Sequence, residues 1–93
     1  MATGNIQRPI QLTRIPKTYT NVTGSANTNI YLTNNVEEDL GINSYEQIVS
    51  CSQASDAGFG GATWSLFLNI HSVYIKSANA VSDATVNLIF WVI

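Results

Sequence analysis

His71 is the single histidine of this 93-residue chain, so any acid–base chemistry would have to be built around it. An imidazole beside a hydroxyl and a carboxylate is the arrangement of nucleophilic hydrolysis. Ser72 or Ser55, with Asp56 or Asp83, would complete such a trio on paper. Nothing places a serine on a strained strand-to-helix turn with a base beside it, and a chain rich in serine offers trios by chance. The expectation for His71 is a satisfied or interface residue on a strand, and no catalytic residue is assigned. Glu37, Glu38 and Asp39 are consecutive acids. They lack the alternating oxygens and central glycine of a calcium loop, and a helix first turn or a solvated loop accounts for them. Only six acids exist, none in an aromatic-rich loop, which argues against paired glycosidase carboxylates. Cys51 is the only cysteine, which excludes an internal disulfide and a cysteine-based metal site; a small buried thiol is expected. The glycines of segment 53–61 precede a strand-like run rather than a helix, so they make no phosphate cradle. No metal, no cofactor and no enzymatic activity are expected.

The chemistry that remains is stacking and packing. Tyr19, Tyr31, Tyr45, Tyr74, Trp64 and Trp91 stand among many Asn, Ser and Thr residues. Ring faces can stack on pyranose C–H groups while amides bond the hydroxyls, although core or subunit interface is the commoner fate of any one ring. Net charge is −2 and only 11% of residues are charged, against about 25% in an ordinary soluble domain. Solubility therefore rests on neutral polar groups. Arg8, Arg14 and Lys17 lie in the first seventeen residues with no acid among them. They read either as a solvated basic arm or as one that docks on an acidic neighbour. Three cations without interleaved aromatics make a poor phosphate stripe, and nucleic acid is not an expected partner.

The elements that would position these groups are mostly strands. Residues 1–17 hold both prolines, Pro9 and Pro16, at a spacing that suits neither a helix nor a central strand, so an extended arm is expected. Residues 17–34 read as a hairpin turning at Gly24–Asn27, and residues 34–44 as a single helical turn capped by Asn35 and stopped by Gly41. Residues 45–52 read as a strand near a sheet edge and residues 53–61 as a loop. The last third holds two apolar runs, Trp64–Ile75 and Thr85–Ile93, joined by a polar turn region, which predicts strand, turn and strand. The final run is apolar on both faces: Val86, Leu88, Phe90 and Val92 on one, Ile89, Trp91 and Ile93 on the other. A strand covered twice in so small a chain predicts a second subunit. The expected fold is all-β, a small antiparallel β-sandwich, jelly-roll-like, spanning residues 18–93 behind the arm of residues 1–17. The start Met-Ala-Thr-Gly has no signal-peptide pattern, and the last apolar run is about half a membrane-spanning helix; neither secretion nor membrane insertion is expected.

The order of a Tyr-x-x-Val opening at Tyr19, an Asn/Ser/Thr-rich segment, a central YEQIVS strand, a glycine loop and the closing SLFLNIHSVYIKSANAVSDATVNLIFWVI resembles the small C-terminal tip domains of tailed-bacteriophage tail fibres. The resemblance spans about Tyr19 to Ile93. It implies a homotrimeric virion protein, assembled in the host cytoplasm, that binds a host-surface receptor, often a glycan. The doubly apolar last strand agrees with that trimer and puts Ile89, Trp91 and Ile93 at the oligomer interface, while Arg8, Ile10, Leu12 and Arg14 are expected in an arm fastened to other virion proteins. Tyr45, Phe59, Tyr74 and Asn79 are the receptor-binding candidates, chosen as loop residues because such tips vary most where they touch receptor. Such tips usually follow a long shaft, where here only a short arm precedes the domain. The alternatives are a capsid decoration protein held by its arm without a receptor, and a small intracellular inhibitor or adaptor that binds one protein.

Overall fold

The computed structural model describes residues 11–93, and they form a sandwich of two three-stranded antiparallel sheets. Six strands follow the chain: β1 (Thr13–Gly24), β2 (Ile30–Thr33), β3 (Ile48–Ala57), β4 (Trp64–Asn69), β5 (Ser72–Ser77) and β6 (Val81–Val92). The first sheet has the order β1-β6-β3 and the second β2-β5-β4. Only the β4–β5 connection is a hairpin; every other connection crosses between layers.

The long strand β6 is the spine of the first sheet. Its alternation puts Val86, Leu88, Phe90 and Val92 inward, each at most 4% exposed. Burying such side chains is worth about 1.5–3 kcal/mol apiece, so this row dominates the core. Val73 and Ile75 of β5 face it from the second sheet, both fully buried. On either side of β6, register sets Ile15 and Cys51 opposite Phe90, and Arg14 and Ser50 opposite Trp91.

One short helix, α1 (Val36–Leu40), closes an end of the sandwich. The Asn35 side chain accepts from the Glu38 amide, and Gly41, at φ 70, donates to the carbonyls of Glu37 and Glu38. Val36 and Leu40, one turn apart, are its buried residues. The helix ties the two sheets together. The Tyr19 hydroxyl of β1 donates to Asp39 Oδ2 at 2.8 Å, and the Val36 amide donates to the carbonyl of His71, in the turn of the second sheet, at 3.0 Å. Burial, with Asp39 alongside, pushes the Tyr19 phenol well above its ordinary value. Gly58 ends β3 at φ 88, where a Cβ would stand 3.0 Å from Ala84 Cα, so the crossing to β4 needs glycine.

The all-β sandwich, the capped single helical turn and the edge position of β3 are as the sequence predicts, but the strand expected from residue 45 starts at Ile48, because Tyr45–Gln47 form a 3-10 turn capped by Ser44. Four further readings differ. Residues 13–17 belong to β1, so the division drawn after Lys17 falls inside a strand; Pro16 is accommodated because β1 is at the sheet edge. The predicted hairpin of residues 17–34 is a corner, since β1 and β2 lie in opposite sheets. The loop predicted from residue 53 begins only after Ala57. Finally, the run Trp64–Ile75 is two strands folded at Ile70 and His71, while β5 and β6, predicted to form a strand-turn-strand pair, separate into different sheets.

Candidate functional site

The members of the paper trio have separate partners. Glu37 holds the His71 ring through Nδ1, and the Ser72 hydroxyl donates to Asn34 Oδ1 at 3.0 Å. Asp56 accepts from the Trp64 indole at 2.8 Å, and Ser55 from the Asn87 amide at 2.9 Å. Burial works to raise the Glu37 pKa, but hydrogen bonding from its own backbone amide and from His71, the imidazole's charge and the Tyr45 amide outweigh it, and the net shift is downward. Among the described residues no group of three His, Cys, Asp or Glu side chains is placed to hold a metal ion. Cys51 faces the core side of β3, half-buried, and burial pushes its thiol up to about 12.

What the fold does present is two unlike outer faces. On the first sheet, the outward row of β6 is Thr85, Asn87, Ile89 and Trp91, all half-buried, followed by exposed Ile93. Val49, pushed out by the bulge between Ile48 and Ser50, and Leu12, just before β1, add exposed apolar surface. Arg14, Ser50 and Ser52 border this row. The chain end is held in place: the Ile93 amide donates to the Gln47 carbonyl at 2.9 Å, and the Gln47 side-chain amide donates back to the Ile93 carbonyl at 2.8 Å.

On the second sheet, cross-strand pairing aligns Tyr31 of β2, Tyr74 of β5 and Phe67 of β4 in one outward row. Ring centroids are 5.2 Å apart for Tyr31 and Tyr74, tilted at 47°, and 5.1 Å apart for Tyr74 and Phe67, stacked at 14°. The spacing is that of neighbouring strands. Tyr31 is 52% exposed and Phe67 39%. One step along the strands, on the same face, lie Lys76 paired with Ser65; one step the other way lie Ser72 and Asn69. No acid occurs on β2, β4 or β5.

Of the predicted site residues, Ile89, Trp91 and Ile93 share the first sheet's outer face. Arg14 borders it and Leu12 lies exposed beside β1, whereas Arg8 and Ile10 lie outside the described residues. The receptor candidates scatter. Tyr74 is the centre of the aromatic row, and Asn79 is exposed in the β5–β6 connection. Tyr45 is a core-packing residue set edge-on to His71. Phe59 must be withdrawn as a surface residue: it is 7% exposed and stacked on Trp64, because the glycine loop folds back over the core. Tyr31 is among the rings the sequence offers for stacking but not among the receptor candidates, and Phe67 is in neither group. The alternation of Tyr74 against buried Val73 and Ile75 was the signal for the face, but only the pairing of three strands shows that three rings meet. No protein-family model, no curated protein and no solved structure matches this chain.

Proposed function

We propose that the chain is a non-enzymatic binding module of a bacteriophage particle. It assembles as a homotrimer through the outer face of the first sheet and turns the aromatic face of the second sheet toward a host-surface receptor. The observation that carries the reading is the outward row of β6. A central strand has Ile89 and Trp91 only half-covered and Ile93 more than half exposed, although its inward row is buried. Contiguous apolar surface of this kind marks interaction sites. The resemblance of Tyr19–Ile93 to fibre tips supplies the viral setting, and the segment ahead of β1, with Leu12 at its end, is the attachment device.

Sedimentation equilibrium tests the assembly: a trimer is expected at micromolar concentration, and a clean monomer would overturn it. Trp91→Ser should dissociate the assembly more than Trp64→Ser does, since Trp64 is only 9% exposed and serves the core of its own protomer. Deleting residues 1–12, which spares β1, should release the protein from the particle with its oligomer intact.

A further inference from the structure

We infer that the aromatic face of the second sheet is a site for an acidic saccharide, with Lys76 as the anchor of its anionic group; the inference rests on the receptor-binding reading above and names the class of ligand. Three observations converge. Tyr31, Tyr74 and Phe67 form a continuous row across three strands, with the two outer rings substantially exposed. A row of rings repeating at the interstrand distance offers successive apolar contacts to successive pyranose units of an extended chain.

Lys76 then fixes the charge of the ligand. It is the only cation in residues 18–93, it stands two positions from Tyr74 on the same face, and it is exposed. Among the described residues no ion pair or side-chain hydrogen bond engages it, and the one ion pair present joins His71 to Glu37. The six acids lie on other elements, since β2, β4 and β5 have none. An overall acidic protein thus keeps one acid-free cationic face, and it is the face that carries the rings. Ser65, paired with Lys76, and Asn69, opposite Ser72, put a hydroxyl and an amide on the two flanks of the row, where sugar hydroxyls need partners. A purely apolar partner would leave Lys76 covered and unpaired, which is costly. A carboxylated or phosphorylated sugar chain satisfies ring, amide and ammonium together.

The test is calorimetric titration of the assembled wild-type protein with oligogalacturonate, with its neutral methyl ester, and with a phosphomannan fragment. Oligogalacturonate or the phosphomannan should bind, the methyl ester should bind about tenfold more weakly, and added salt should narrow that gap. Which of the two acidic probes binds better identifies carboxylate or phosphate as the natural group. Lys76→Gln should remove the preference for the acid while leaving the residual affinity for the ester, and Tyr74→Ala should weaken all three. Equal binding of acid and ester, untouched by Lys76→Gln but lost in Tyr74→Ala, would overturn the anionic assignment and leave a neutral-glycan receptor standing. Binding of none of the three would overturn the saccharide site itself, and display of the protein with a protein receptor would then have to be sought through whole-cell adsorption.

Discussion

The two outer faces of the sandwich are built by the same alternation and differ in what they leave to the outside. On the first sheet the outward row lies along a single central strand and passes from polar Thr85 and Asn87 to Ile89, Trp91 and Ile93, an aliphatic and indole end bordered by serines and Arg14. On the second sheet it is aromatic, runs across three strands, and is bordered by Lys76, Ser65, Asn69 and Ser72. Aliphatic rows find their best partner in another closely packed apolar surface, because their contribution is area removed from water and nothing else. Rings with hydroxyls and a neighbouring ammonium are amphipathic and suit a ligand that is half polar. The proposed function follows this difference, with assembly at the first face and recognition at the second.

The largest effect separates the inner from the outer side of β6. Phe90→Ala should cost about 3–5 kcal/mol in urea unfolding, as a fully buried aromatic in a packed core. In a domain whose total stability is about 5–15 kcal/mol this approaches outright unfolding. Trp91→Ser, one residue on, should cost the isolated protomer only about 1 kcal/mol. Its signature is a different one: the unfolding temperature of the wild type should rise with protein concentration by mass action, and that of Trp91→Ser should not. If both substitutions act alike on the protomer, the outer face of the first sheet is ordinary core periphery and the comparison fails. On the second sheet, Tyr74→Ala removes two ring pairs, each worth about 0.5–1.5 kcal/mol beyond area burial. It should lower unfolding stability by about 1–3 kcal/mol and leave sedimentation unchanged.

How much of this was readable from the sequence depended on whether the signal was local. The helix was legible to its ends, because a cap at Asn35 and a left-handed stop at Gly41 are decided within a few residues. The doubly apolar character of β6 was legible as well, since alternation needs only the strand itself. Pairing partners were not. The turn between β4 and β5 lacks glycine, proline and the usual asparagine pair; it puts Ile70, a β-branched residue, at φ 56, a conformation such residues rarely adopt. The true hairpin was therefore hidden, and a glycine-containing corner at Gly24–Asn27 was read as one. The aromatic row was illegible for the same reason, as Tyr31, Phe67 and Tyr74 meet only once the sheet order is known.

That turn gives a smaller prediction. Ile70 is 53% exposed, so its side chain gains little from packing while its backbone is strained. Ile70→Asn should stabilise the second sheet by about 1 kcal/mol, because asparagine tolerates the left-handed region. A loss of stability that grows with protein concentration would instead mean that Ile70 is held by contacts with another copy, and would extend the proposed assembly face to this end of the molecule.

The smallest expected effect is at the same end, where pH should touch the second sheet and spare the first. Glu37 is held below the ordinary carboxylate range in the folded chain, so its contribution to stability is fully present above that range and fades as the pH falls through the folded value. The pair it makes with His71 is open to water on the imidazole side, 58% exposed against 15% for the Glu37 side chain, and screening from that side keeps the contribution modest. Comparing urea midpoints of wild type and Glu37→Gln should show a difference near neutral pH that closes on acidification below the carboxylate range. Hydrogen exchange locates the effect: amides of the β4–β5 turn and of α1, which the Val36–His71 bond joins, should lose protection first, with the β1–β6–β3 ladder unchanged. Equal loss across both ladders would show that the two sheets open as one unit. The separate duties proposed for their outer faces would then have to rest on side-chain chemistry alone, without independent stability behind them.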